Sequence, residues 1–295
     1  NDSMGLDWGD GSLKWVKLAP QADHYRLLYL DILTLPEKEE MAEAVLKEYV
    51  VKHRLTGTPV AIGFQNPHLQ FRRMELPRMP EEDLKEAIRW QMRDVAEGSI
   101  DDTQIQYSLI EESQRIDSVQ LVLLAYAIKK EALPSYPKIL RKAGLKPFFL
   151  EPIPVATATV IEQMEHPRDG EWIAAVDIGH KHAYFIALAK GKLHLVRPLV
   201  GISGEAVAAN AGESFSIKLS LEIQRALDAL SVSHQVEKIS KLFLLGGGAA
   251  NLGIAITLSK NLGIATEVFN PWQGIESANT FPLAHEKPYL FGGAV

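Results

Sequence analysis

Apolar residues along this chain follow two periods in turn, and each switch between them predicts an element. Leu6 and Trp8 lead into Gly9-Asp10-Gly11-Ser12, and Leu13, Trp15, Val16 and Leu18 lead out, which is the pattern of an apolar β-hairpin around a tight turn. Residues 25–33 read as a further strand. Ala42, Val45, Leu46, Tyr49 and Val50 then recur at i, i+3, i+4, i+7 and i+8, the spacing of an amphipathic helix. Residues 59–64 form a short apolar run between Gly57 and Asn66-Pro67, the mark of a buried strand. Strands followed by a helix and another strand predict a mixed sheet with helices packed on it.

The texture changes at residues 74–80, where Pro77 and Pro80 restrict the backbone. Glu81, Glu82 and Asp83 then load the first turn of a helix with charges that suit its dipole. Leu84, Ala87, Ile88, Met92 and Val95 share one face of that helix. Ile105, Tyr107 and Leu109 alternate as a strand, residues 119–127 read as a long apolar strand, and a helix is expected from about 131 to 143, stopped by Gly144. This helix, strand, strand, helix block, residues 76–150, reads as an inserted subdomain. Residues 151–154 read as a linker, 155–165 as a helix and 166–170 as the turn that closes the first domain. Leu219, Ile223, Ala226, Leu227 and Leu230 mark another helix. Residues 241–245 form a buried strand that runs into Gly246-Gly247-Gly248-Ala249-Ala250, where backbone amides can approach a ligand closely. Gly292-Gly293-Ala294 reads as a helix or the end of a strand. The domains expected are 4–165, then 166–271, then a segment 272–295 that returns to the first; residues 1–3 read as a tag remnant or frayed terminus.

The hairpin phrase is written twice. Val176-Asp177-Ile178-Gly179-His180-Lys181-His182-Ala183-Tyr184-Phe185 repeats it, with Asp177 170 positions after Asp7. In each copy an apolar strand delivers an Asp and a Gly to the mouth of a hairpin, a place that can hold a phosphate and its metal. A lone Asp-x-Gly is an ordinary turn, because both residues favour turns for conformational reasons. Two copies followed by a triple glycine, each on its expected strand, are specific and point to a nucleotide shared by two related domains.

Composition narrows the picture further. At 295 residues, 46% apolar and 23% charged, the chain has the make-up of one large or two medium globular domains. Its net charge of −6 argues against nucleic acid as a partner. Without cysteine it has neither a disulfide framework nor a thiolate metal site, which fits a reducing compartment. The longest apolar run, 121–128, falls short of the roughly 20 residues that span a bilayer. With no signal peptide or transmembrane segment read, the expectation is a cytoplasmic protein. His180 and His182 share a strand face but lack a third metal ligand nearby. P-loop, zincin and serine-hydrolase motifs are missing.

The motif set resembles the actin-like ATPase superfamily and, within it, the FtsA-like PilM family of type IV pilus assembly. The resemblance runs nearly end to end. It rests on Gly5-Leu6-Asp7-Trp8-Gly9 through Lys14, on Glu75-Leu76-Pro77 with the acidic helix after it, and on Ala143-Gly144-Leu145-Lys146-Pro147. It continues through Val176-Asp177-Ile178-Gly179, Glu222-Ile223-Gln224-Arg225-Ala226-Leu227, Leu245-Gly246-Gly247-Gly248-Ala249 and residues 262–271. The fold it implies is α/β, the actin-like (ribonuclease H-like) two-domain fold with an inserted FtsA/PilM-type subdomain.

The cofactors it implies are ATP and Mg²⁺. By resemblance, Gly9, Gly11, Ser12 and Gly179 belong to the phosphate loops, with Lys14 and Lys181 as point charges. Asp7 and Asp177 would hold Mg²⁺ through water, as suits an ion that dehydrates reluctantly. Gly246, Gly247, Gly248 and Ala249 would contact ribose and base, with Glu222 and Arg225 as neighbours; no residue is assigned a catalytic role. The chain departs from the family at Asp10, whose charge would repel a phosphate, and at His180, Lys181, His182 and Ala183, which stand where small and hydroxyl residues are usual. Efficient hydrolysis is therefore not expected, and ATP binding is expected to be weak or degenerate. The stretch 201–217 is short for the family, so the second domain is expected to be reduced.

The function implied is a cytoplasmic scaffold of type IV pilus or related type II secretion machinery. It would bind the cytoplasmic tail of a PilN-like inner-membrane protein at subdomain 76–150. It would meet the membrane only through that partner, and self-association is left open. The rival is a small-molecule kinase or active ATPase on the same fold, with Asp10 as its base.

Overall fold

Both apolar hairpins form, and each opens a sheet of the same plan in the computed structural model, which describes residues 3–22, 24–36, 39–96, 98–114, 118–165, 170–209, 213–234, 236, 238–276 and 280–295. Strand β1 (Met4–Trp8) pairs antiparallel with β2 (Ser12–Gln21), and β2 pairs antiparallel with β3 (His24–Thr34). Helix α1 (Glu39–Lys52) returns the chain to β4 (Pro59–Phe64), parallel to β1. Then come β5 (Gln70–Pro77), α2 (Glu81–Met92), β6 (Thr103–Gln114), β7 (Val119–Lys129) and α3 (Tyr136–Lys142). Strand β8 (Lys146–Pro152) lies parallel to β4 and runs into α4 (Ile153–Met164). The second hairpin is β9 (Trp172–Ile178) and β10 (Ala183–Ala189), followed by β11 (Lys192–Pro198), α5 (Gly204–Ala209), α6 (Glu213–His234) and β12 (Ile239–Leu245). The chain ends through α7 (Leu252–Leu262), β13 (Thr266–Val268), β14 (Ile275–Glu276) and α8 (Pro282–Glu286).

The first sheet runs β14-β3-β2-β1-β4-β8 and the second β11-β10-β9-β12-β13. From β3 to β8 the first repeats the second strand for strand, an antiparallel meander extended by two parallel strands. Strand β10 is buried at all seven positions, because α4 and the third sheet cover one face while α6 and α7 cover the other. The first core gathers Leu6, Trp15, Leu46, Ile62 and Leu140, and the second gathers Val176, Phe185, Leu219, Ile223 and Leu258. The third sheet, β5-β7-β6, packs Ile110, Val122 and Leu124 against Tyr184, Ile186 and Val196 of the second. The C-terminal stretch lays Trp272, Ala284 and Phe291 on Val16, Leu27 and Leu30, and β14 adds to the edge of the first sheet beside β3.

Three features differ from the sequence expectation. Residues 70–77 are a strand, which Arg72 and Arg73 hide by interrupting the apolar pattern with long half-buried stems. The helix expected over 131–143 spans only Tyr136–Lys142, with Pro137 in its first turn. Its Ile139 and Leu140 join the first core instead of the insert. Residues 151–154 are no linker, since Glu151 and Pro152 finish β8 while Ile153 and Pro154 open α4. The layer that stands apart from the two sheets therefore runs over 70–129, where 76–150 was expected. Val95 falls past the end of α2 but still packs beside Leu84 and Ile88. Gly292, Gly293 and Ala294 form a turn. Of the turn expected at 166–170, residues 166–169 lie outside the described residues.

In the β10–β11 pair, Ala187 faces Leu195 and Leu188 faces Leu193, which leaves His194 as the extra residue of a bulge. The bulge turns His194 inward against Trp172, ring centroids 4.9 Å apart, and His234 at 5.9 Å. Burial first, then His234 and Arg73, push the His194 pKa down to about 4. The unfolded chain binds a proton near pH 6.5 that the folded chain refuses, so this residue's contribution to stability is full above that pH and falls as pH drops toward 4. His194→Leu is expected to remove about 2 kcal/mol of the loss seen at pH 5. Urea midpoints at pH 7.5 and 5 check this; an unchanged acid loss contradicts it.

Candidate functional site

The two hairpin turns face each other across a cleft. In the first, Gly9 N–H donates to Ser12 O at 3.0 Å, and Leu35 N–H donates to Gly11 O at 3.0 Å. Asp7 is the last residue but one of β1 and Lys14 stands opposite it on β2, so their side chains meet on one face with Nζ 2.6 Å from Oδ2. In the second, Asp177 is opposite Tyr184, and Gly179 O and His180 O accept the first amides of α5, from Gly204 at 2.7 Å and Glu205 at 3.1 Å.

Three hydrogen bonds tie the first sheet's loops to the second's: Gln65 Nε2 to Asp177 Oδ2 at 3.2 Å, Lys181 N–H to Asp10 Oδ2 at 3.3 Å, and Tyr184 hydroxyl to Asn66 O at 3.0 Å. The carboxylate of Asp10, expected to oppose a phosphate, is thus turned onto the backbone of the facing loop.

Between the loops lies a cavity of about 330 Å³. Its walls are Asp7, Gly9, Asp10, Gly11, Ser12 and Lys14 on one side and Asp177, Gly179, His180, Gly246 and Gly247 on the other. Gln65, Thr157, Leu290, Gly292 and Gly293 also line it. Gly246 has a φ of +76°, and a Cβ there would stand 2.4 Å from Asp177 Oδ1. A Cβ on Gly179 would stand 2.7 Å from Gln65 Oε1. Burial above all, and then the charge of Asp7, push the Asp177 pKa up to about 6, while Lys14 and Gln65 pull it down.

The cleft is therefore short of positive charge. Two buried carboxylates share one ammonium, and a divalent cation would relieve them. Among the described residues no three His, Cys, Asp or Glu side chains gather as a direct metal cage. A facing carboxylate pair suits an ion that keeps its waters, and the loops fit a phosphate–cation group.

The glycine run expected to meet ribose and base is arranged differently. Gly248 and Ala249 turn into the second core; a Cβ on Gly248 would stand 2.3 Å from Ile178 Cγ2. Gly246 N–H donates to Tyr289 O at 2.9 Å. Glu222 is buried on α6 in an ion pair with Arg225, and neither lines the cavity. Lys181 lines a separate depression with His182 and Pro67. His180 pairs with Glu205 at 3.1 Å, which draws its imidazole toward α5. Gln65 was missed by sequence reading, although its place just beyond the carboxyl end of a parallel strand is a signal. Thr157, one of two threonines in an apolar helix, gave none.

Duplicated sheets with paired hairpins across a cleft define the actin-like fold. Within that class two comparisons find similarity to PilM. Residues 204–287 match the family model described as type IV pilus assembly protein PilM. Along its whole length the fold matches a solved structure of a PilM–PilN type IV pilus biogenesis complex, with TM-score 0.83 and 22% identity over 99% of this chain and 96% of that one. Remoter matches include the cytoplasmic domain of EpsL, an inner-membrane component of the type II secretion system of Vibrio cholerae (TM-score 0.49, 11% identity, 83% and 82% covered). A Bacteroides thetaiotaomicron protein with an actin-like ATPase fold stands at TM-score 0.49 and 12% identity, with 92% and 91% covered. No curated protein sequence matches the chain.

Gly246→Ala combines a disfavoured φ with a collision at Asp177, and is expected to cost at least about 2 kcal/mol of stability. Gly11→Ala, with open space around the added Cβ, is expected to cost less than about 1 kcal/mol. Urea denaturation of both variants checks the contrast; equal losses contradict the packing described.

Proposed function

We propose that the chain is an actin-like scaffold of type IV pilus or related secretion machinery, one that holds the cytoplasmic tail of a PilN-like inner-membrane protein and carries a phosphate–cation site in its cleft. The observation that carries this reading is the coincidence of the entire fold with the PilM–PilN structure. The site's own chemistry supports its second half. Asp7 and Asp177 would hold Mg²⁺ through its waters, and the Gly9–Ser12 turn and Lys14 would meet the phosphates of ATP. The cation, when bound, neutralises the two carboxylates and the phosphates together. Localisation at the inner membrane follows from the partner; among the described residues no helix is long and apolar enough to cross a membrane.

The partner surface of this reading falls within 76–150, and two features support it. Strand β8 ends the order of the first sheet, and its outer edge carries no strand among the described residues. Its pairing slips between Val60 and Ala61, so Phe148 has no opposite residue, and both Phe148 and Phe149 are exposed, at 62% and 51%. An open strand edge flanked by exposed aromatics offers main-chain hydrogen bonds and apolar contact to an extended segment. Trp90, 67% exposed on α2, lies under the Arg93 guanidinium at 4.4 Å and offers a further aromatic face.

Two measurements test the proposal. Calorimetry of Mg·ATP into the purified chain is expected to show weak binding, reduced about tenfold or more by Asp177→Ala, the scale of one charge-assisted contact. A synthetic peptide copying the cytoplasmic tail of a PilN-like protein from the same genome is expected to bind. The double variant Phe148→Ser, Phe149→Ser is expected to weaken it about tenfold or more with the circular dichroism unchanged. ATP turnover stimulated by a small acceptor, with no peptide binding, would replace the scaffold reading with the kinase one.

A further inference from the structure

Thr157 lies on α4, lines the cleft cavity and is 1% exposed, yet its Oγ1 has no hydrogen-bond partner. Four other helical hydroxyls turn back onto the carbonyl four residues earlier. Thr159 donates to Val155 O at 3.1 Å, Ser220 to Ser216 O at 2.8 Å, Ser233 to Ala229 O at 2.7 Å and Thr257 to Gly253 O at 2.9 Å. Thr157 has Ile153 at that offset and makes no such bond. Leaving a buried hydroxyl unpaired costs stability, a cost that apolar valine, of the same shape, would avoid.

The hydroxyl's surroundings say what it meets. One turn earlier on α4, Ile153 Cδ1 stands 2.6 Å from where a Cβ of Gly293 would be, and that same point is 3.6 Å from Asp7 Cγ. Thr157, the next turn of the same helix, lines the cavity together with Asp7 and Gly293 and forms part of its floor. Around the cavity, the Lys14 ammonium is engaged with Asp7 and the Gln65 amide with Asp177, and the ionised carboxylates only accept. A ligand rich in phosphate oxygens needs donors, and the Thr157 hydroxyl is one that the protein itself leaves unused.

We propose that Thr157 Oγ1 is a ligand contact at the floor of the cleft, donating to an oxygen of the phosphate-bearing ligand. This rests on the phosphate–cation reading of the cleft given above.

The test uses Thr157→Val, which keeps the shape and removes the hydroxyl, and Thr157→Ser, which keeps the hydroxyl. The probes are Mg·ATP and Mg·pyrophosphate, followed by calorimetry, with thermal melts of the ligand-free proteins. The valine variant is expected to melt at or above the wild type and to bind both probes about 5- to 20-fold more weakly. The serine variant is expected to stay within about twofold. Two results overturn the inference while leaving the cleft reading intact: valine binding both probes as tightly as wild type, or a lower melting temperature for the free valine variant, which would mean that the hydroxyl already has a protein partner. A wild type that gives no heat with either probe overturns the cleft reading itself, and the contact with it.

Discussion

Two buried carboxylates that line one cavity set the terms for the rest of this molecule. Asp7 and Asp177 come from different sheets, each fixed at the end of a fully paired strand, and neither can retreat without breaking a ladder. Their repulsion is met by one ammonium, Lys14, and one amide, Gln65. The glycines around them follow from the same crowding, because Gly179 makes room for Gln65 and Gly246 makes room for Asp177. Removing charge by mutation would relax this arrangement, and so would a bound cation. An arrangement held at such cost is what the proposed phosphate–cation reading of the cleft would account for.

The duplicated sheet plan was legible in the sequence because its determinants are local. An apolar strand, a turn of Gly and Asp and a returning strand fix their own pairing, so one phrase read twice reveals two sheets. Strands β5 and β8 were not legible for the opposite reason. Arg72 and Arg73 lay apolar stems along the insert while showing charge to a sequence reader, and β8 is framed by Pro147 and Pro152 as a linker would be. Their pairing partners, β7 and β4, lie far away along the chain. The cleft divided in the same way. Loop residues that touch the cavity through their own turn were found. Gln65, Thr157 and the Gly292-Gly293 turn reach it only because distant elements cross there. Gly248 and Ala249 were assigned to the ligand because a glycine run signals backbone approach, but here the close approach is made by Ile178.

The cleft and the insert share one covering of apolar side chains. Val122 and Leu124 of the insert pack into the same cluster as Tyr184 and Ile186, and the ring of Tyr184 runs from that cluster to the loop after β4, where its hydroxyl donates to Asn66 O. Burial, with the charges of Asp177 and Asp10 behind it, pushes this hydroxyl's pKa up to about 12, so it remains a donor at any physiological pH. Tyr184 also stands directly opposite Asp177 in the β9–β10 ladder. A ligand that draws Asp177 toward itself would strain the Gln65 bond on one side and the Tyr184 strand on the other. Packed interiors shift between discrete arrangements and do not flex smoothly, so such strain is passed to neighbours and not absorbed. The first neighbours in line are Val122 and Leu124.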